Sequence, residues 1–127
     1  MRALVIDDSR VMRRIVAGNL HALGFETIEA QDGQEALDLL AAGEQADLAC
    51  IDWNMPIMDG LTFVSMVRAD PELREITLMM VTTESEQSKI VQALAAGAHD
   101  YLIKPFTPDA IREKLEWLGL VPVGGNV

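Results

Sequence analysis

Two successive aspartates, Asp7-Asp8, follow an apolar run near the amino terminus, and a third, Asp52, ends another in C-I-D-W-N-M-P-I-M-D-G (50–60). Thr82-Thr83 follows the run 77–81, and Lys104-Pro105 follows 101–103. Three carboxylates brought together repel one another, and some of their pKa values rise. A hard divalent cation relieves that repulsion. Oxygen ligands with room for waters and a phosphate describe Mg²⁺ better than zinc, which wants His or Cys. A lysine adds fixed positive charge and a threonine adds a hydroxyl. Carboxylate, metal and lysine around one point form a constellation for phosphoryl transfer, where catalysis is mostly positioning and charge neutralisation. Taken singly, each piece is ordinary: an acid pair is often a solvated turn, a Lys-Pro a loop, a Thr after a strand a cap. Their joint occurrence at four of five strand ends favours a site.

Other chemistries lack their residues. There is no Ser/His/Asp system, no Walker loop and no G-x-G-x-x-G. His21 and His99 read as surface or helix-end residues. The single cysteine, Cys50, lies in an apolar run, so it reads as an inert core thiol and no intramolecular disulfide is available. With 10 basic and 20 acidic residues the net charge is -10, which argues against nucleic-acid binding because no cationic surface could dominate the field. The amino terminus meets aspartates at once, and no window approaches the eighteen or so apolar residues of a membrane span, so a cytoplasmic, membrane-free protein is expected.

The elements that must position these groups follow from the apolar pattern. The runs 3–6, 27–30, 48–51, 77–81 and 101–103 have the length of strands, and three lack polar alternation, as in a parallel sheet covered on both faces. Helical stripes lie between them. Val11, Ile15, Val16, Leu20 and Leu23 stop at Gly24, Ala36 to Ala41 at Gly43, Leu61, Val64 and Val67 at Asp70-Pro71, and Ile90, Val91 and Leu94 at Gly97. Thr107-Pro108 supplies an N-cap and a Pro at N1 for a fifth helix through Ile111, Leu115 and Leu118. Asp32-Gly33 and Asp59-Gly60 could be hairpin turns, but helical periodicity follows both, so hairpins are rejected. Strand and helix alternate five times, which predicts an open, doubly wound α/β sheet, since five units cannot close an eight-stranded barrel. The 127 residues suit one domain, with 121–127 read as a frayed tail.

The chain resembles a response-regulator receiver domain, and within that family its single-domain chemotaxis members. The matching pieces are V-I-D-D with M-R-R-I after it, E-A-Q-D-G (29–33), D-W-N-M-P-I-M-D-G, M-V-T, G-A-H-D-Y and K-P-F, and they span roughly residues 2 to 118. The resemblance implies a (βα)₅ flavodoxin-like sheet with strand order 2-1-3-4-5. It implies a receiver domain over 1–120 with no output domain, a signalling protein rather than an enzyme. Asp52 is then the phospho-acceptor for the phosphohistidine of a sensor histidine kinase. Mg²⁺ is held by Asp8, Asp52 and the Asn54 backbone carbonyl, with Asp7 acting through a water. Lys104 pairs with the phosphoryl oxygens and precedes a cis bond to Pro105. Thr82 and Tyr101 form the switch, and the face of the fourth helix, fifth strand and fifth helix reads it out. Asn54, Thr83 and Glu84 tune dephosphorylation, with Asn54 and Glu84 matching the chemotaxis pattern and implying a comparatively quick self-dephosphorylation. Ser9 and Thr83 depart from that pattern, Ser9 opening the pocket mouth and Thr83 narrowing access. A monomer that docks on a flagellar motor switch protein is the implied output; a phosphate sink or a relay to a phosphotransfer protein uses the same residues. A Mg²⁺-dependent phosphatase with a first-strand D-x-D nucleophile is disfavoured because residue 9 is Ser, and a phosphorylation-independent module has no need of the full set.

Overall fold

The computed structural model describes residues 1–83 and 87–122. Five strands, β1 (Arg2–Ile6), β2 (Glu26–Ala30), β3 (Leu48–Asp52), β4 (Thr77–Thr83) and β5 (Asp100–Lys104), alternate with α1 (Arg10–Ala22), α2 (Gly33–Ala41), α3 (Gly60–Ala69), α4 (Gln87–Ala96) and α5 (Pro108–Trp117). The strands form one sheet in the order β2-β1-β3-β4-β5, every pair parallel.

Helix boundaries sit where the side chains dictate. Ser9, Asp32, Asp59 and Thr107 are N-caps, each side chain accepting from the backbone N–H three residues on. Gly24, Gly43 and Gly97 adopt φ of +92°, +103° and +123° just beyond α1, α2 and α4, a region costly for residues with a Cβ.

Side chains alternate across the sheet and build two cores. Leu4, Ile6, Ile51, Leu78 and Met80 face Phe63, Val64 and Val67 of α3 and Ala93 of α4. Val5, Leu48, Cys50, Met79 and Leu102 face Val16 and Leu20 of α1 and Ile111 and Leu115 of α5. Burial pushes the Cys50 thiol up to about 12, as suits an inert core group.

Two details differ from the sequence reading. β4 runs on through Thr82 and Thr83, because β5 pairs with both (Thr82 with Ile103, Thr83 with Lys104). Val121, read as tail, is buried at 9% exposure in the α1/α5 core, since an apolar side chain there closes the end of that layer.

Candidate functional site

The carboxyl ends of β1, β3 and β5 converge on one point. Carboxylate oxygens of Asp7, Asp8 and Asp52 lie within 4.8 Å of one another. Lys104 reaches into them from β5, its Nζ donating to Asp7 Oδ2 at 3.1 Å and to Asp52 Oδ1 at 3.2 Å. Side-chain exposure is 5% for Asp7, 13% for Asp52 and 16% for Lys104, so these charges are poorly screened, while Asp8 is exposed at the rim.

One ammonium does not balance three carboxylates. Burial, then the charge of Asp7, push the Asp52 carboxyl up to about 6, against the downward pull of Lys104. Burial lowers the Lys104 pKa, but the charges of Asp52 and Asp7 outweigh it and the net shift is upward, so the lysine stays charged. An all-oxygen donor set with excess negative charge and no His or Cys fits a hard divalent cation. Asp7 and Asp8 with Asp52 are the side chains placed to hold one.

Local structure explains why the acids point inward. The backbone N–H of Ser9 donates to Asp7 Oδ1 at 2.9 Å while the Ser9 hydroxyl caps α1. Arg13, one turn into α1, donates from Nη1 to the Asp7 carbonyl at 2.7 Å and pairs through Nε with Glu29 of β2 at 3.2 Å. Asp52 is followed by buried Trp53 and exposed Asn54, then a loop that closes where the Gly60 N–H donates to the Trp53 carbonyl at 3.0 Å. A Cβ on Gly60 would lie 2.5 Å from the Asp52 carbonyl oxygen, so glycine is required at the start of α3. Asp32-Gly33 braces the same loop from α2, the Gly33 N–H donating to the Met58 carbonyl.

Thr82 is buried and Thr83 exposed at the end of β4. Thr82 pairs with Ile103 and Met80 with Tyr101, so Thr82 and Tyr101 share one face of the sheet two residues apart in register. Tyr101 is half-buried on the edge strand. The Lys104-Pro105 bond is cis. Glu84 lies outside the described residues. His21, in the last turn of α1, shares a hydrogen bond with Thr27 of β2, and His99 receives N–H bonds from Arg68 and Leu78; neither is part of the acid cluster.

Sequence reasoning missed Arg13, which is near Asp7 only because α1 folds back along β1, and Lys89 of α4, whose ammonium lies 5.6 Å from the Trp53 ring centroid. Lys114, 4.5 Å over the Tyr101 ring, was also missed. Both lysines sit at ordinary helix-surface positions, and nothing in their spacing distinguishes them from solvated charge.

With this geometry in place the chain's class is plain: it belongs to the response regulator receiver domain family, whose sequence pattern matches residues 3–116, and it is therefore a two-component response regulator, a signalling protein. It is 46% identical to the chemotaxis protein CheY1 of Helicobacter pylori over 91% of this chain and 94% of that protein. It is 45% identical to a CheY homologue of Campylobacter jejuni over 91% and 90%. Among solved structures, the chemotaxis response regulator CheY4 of Vibrio cholerae superposes with a TM-score of 0.83 at 35% identity, over 92% of this chain and 97% of that one. The receiver domain of a sensor histidine kinase from Pseudomonas aeruginosa, 27% identical over 93% and 97%, superposes at 0.81 and was solved with magnesium coordinated in its active-site cleft.

Proposed function

We propose that the protein is a monomeric, cytoplasmic receiver phosphorylated on Asp52 by the phosphohistidine of a sensor histidine kinase. The observation that carries this is the largely buried carboxylate itself, held at a strand end with its pKa raised to about 6 and a lysine 3.2 Å away. At neutral pH Asp52 is mostly ionised, yet poorly solvated, which suits a nucleophile. Its oxygen forms a bond to phosphorus, the phosphorus–nitrogen bond of the donor breaks, and the electron pair leaves on the imidazole. Lys104, already oriented by Asp7 and Asp52, pairs with the phosphoryl oxygens that accumulate charge. Asp8, Asp52 and the Asn54 carbonyl, with Asp7 behind them, would hold Mg²⁺, which would supply neutralisation of charge on the transferring group. Hydrolysis returns Asp52 to a carboxylate, at a rate set by Asn54, Thr83 and Glu84.

The new dianion next to buried Thr82 biases a two-state element. The Thr82 hydroxyl moves toward the phosphoryl group and Tyr101 turns inward along the same face of the sheet. The surface of α4, β5 and α5 then changes its affinity for a partner, taken to be a flagellar motor switch protein by likeness to chemotaxis relatives. Among the described residues no helix is long and apolar enough to cross a membrane.

The test is incubation with Mg²⁺ and an acyl phosphate or beryllofluoride, reading Trp53 fluorescence and capture of a motor-switch peptide. The expected result is an Asp52-dependent change in both. No Asp52-dependent response overturns the receiver chemistry; a response without capture overturns motor docking alone and leaves a phosphate sink or relay.

A further inference from the structure

β5 is an edge strand, so the outer flank of Tyr101 is not covered by another strand. What covers it is a side chain from the opposite layer. Lys114 belongs to α5, whose Ile111 and Leu115 pack on the α1 side of the sheet, whereas Tyr101 packs with the α3/α4 core. The Lys114 side chain therefore wraps around the sheet edge, and its ammonium lies 4.5 Å above the Tyr101 ring centroid, well inside cation–π range. The ammonium is fixed there by a second contact, 2.9 Å to Asp100 Oδ1. That same oxygen accepts the Tyr101 backbone N–H at 2.8 Å. One carboxylate oxygen thus anchors both the residue that carries the ring and the cation that sits on it, with Asp100 and Lys114 side chains 15% and 32% exposed.

We infer that Lys114, pinned by Asp100, is a positioning residue that latches the Tyr101 ring at the sheet edge and so sets how readily the switch turns. The inference rests on the proposed inward turn of Tyr101. A ring that turns toward Thr82 leaves the ammonium without its π face, while the Asp100–Lys114 pair and the backbone anchor stay in place. The contact therefore exists in one state and not in the other, which is the condition for a group to bias an equilibrium. It also places the control of the switch on α5 and β5, part of the surface assigned to partner binding.

The experiment pairs two readouts on the full chain. The ring of Tyr101 is followed by NMR without phosphodonor, and half-saturation by beryllofluoride at fixed Mg²⁺ is followed by Trp53 fluorescence. Lys114→Met keeps the aliphatic stem and loses the charge. Its ring contacts with the outer edge weaken, and its half-saturating concentration falls about threefold, the scale of a partly exposed cation–π contact. Lys114→Arg restores the wild-type behaviour, and Asp100→Asn, which keeps a backbone acceptor but releases the ammonium, moves the same way as Lys114→Met. In a Tyr101→Leu background Lys114→Met has no effect. Unchanged ring contacts in Lys114→Met overturn the latch whether or not the protein responds to beryllofluoride. A threefold shift that persists without the aromatic ring also overturns it, by assigning the effect to charge alone. Loss of the Asp52-dependent response in the wild type instead overturns the receiver chemistry, which the ring measurement does not use.

Discussion

At the amino ends of the strands Arg68 of α3 donates to the carbonyls of Gly97, Arg74 and Ile76 and to His99 Nδ1, at 2.7–3.0 Å. Arg2 likewise pairs with Glu44 at 2.9 Å, and its backbone N–H donates to Asp47. At the carboxyl ends, Asp7, Asp8 and Asp52 share one lysine and stay in electrostatic excess. Charge at one end is spent on satisfying backbone; at the other it is held in an unfavourable place. Groups kept at a cost to the fold mark where a ligand or a chemical change will relieve them. The same fold thus separates an end whose charges hold the backbone together from an end whose charges are left in excess, where the proposed reaction takes place.

Removing a charge should therefore have opposite signs at the two ends. Arg68→Met leaves three carbonyls without their charged donor and is expected to lower stability by about 2–3 kcal/mol, measured by urea unfolding. Loading of the folded protein by beryllofluoride should be unchanged. A stability change below about 0.5 kcal/mol would erase the contrast.

Asp52→Asn should do the reverse. The Asp52 carboxyl titrates near 6 in the fold against 3.8 unfolded, so the folded state holds a proton that the unfolded chain has released between those values. Its contribution to stability is fully present below 3.8 and is lost as pH rises through about 6. At pH 7 without divalent cation the Asn variant is expected to be more stable by about 1–2 kcal/mol after allowance for solvent screening. That gain should vanish below about pH 4. Equal stability at pH 7 would mean that the acid cluster is not strained.

Ile57 sharpens the contrast on a smaller scale. It is 82% exposed in the loop after Asp52 and adopts φ of +68°, the left-handed region that penalises a β-branched side chain. Ile57→Gly should stabilise by about 0.5–1 kcal/mol, because it relieves that strain with no buried contact to lose. Thermal unfolding would show it as a rise of several degrees, and a fall would sink the reading.

The smallest effect belongs to His99. Burial, then the Arg68 charge, hold its pKa below the usual 6.5, with a hydrogen bond to the Leu78 backbone partly opposing them. Depression of the folded value means that its contribution is present above 6.5 and is lost as pH falls through the lower folded value. His99→Gln should remove that component of the pH dependence, under about 1 kcal/mol for so exposed a ring.

The carboxyl end was far more legible in the sequence than the means that hold it. Strand-ending acids, Asp-Gly helix starts and glycines after helices are local signals, and the structure places Asp32, Asp59 and Thr107 as caps for that reason. The strand order came from family likeness, since parallel pairing leaves no local mark. Arg13, Lys89 and Lys114 act across elements, so their roles exist only once α1, α4 and α5 are placed. Ile57 was invisible for another reason: nothing in a β-branched residue announces a left-handed backbone, and it goes with the tight turn in which the Met58 N–H donates to the Pro56 carbonyl. Val121 was misread because a short tail and a closing core residue look alike in sequence.

The most direct test of the central claim is to locate the phosphoryl group. Wild-type protein, Asp52→Asn and Lys104→Met are incubated with Mg²⁺ and an acyl phosphate, reduced with borohydride to trap any aspartyl phosphate, and mapped by peptide mass spectrometry. The expected result is a single reduced residue at position 52 in the wild type, none in Asp52→Asn and strongly diminished labelling in Lys104→Met. Labelling at another carboxylate in the wild type, or undiminished labelling in Asp52→Asn, would contradict it.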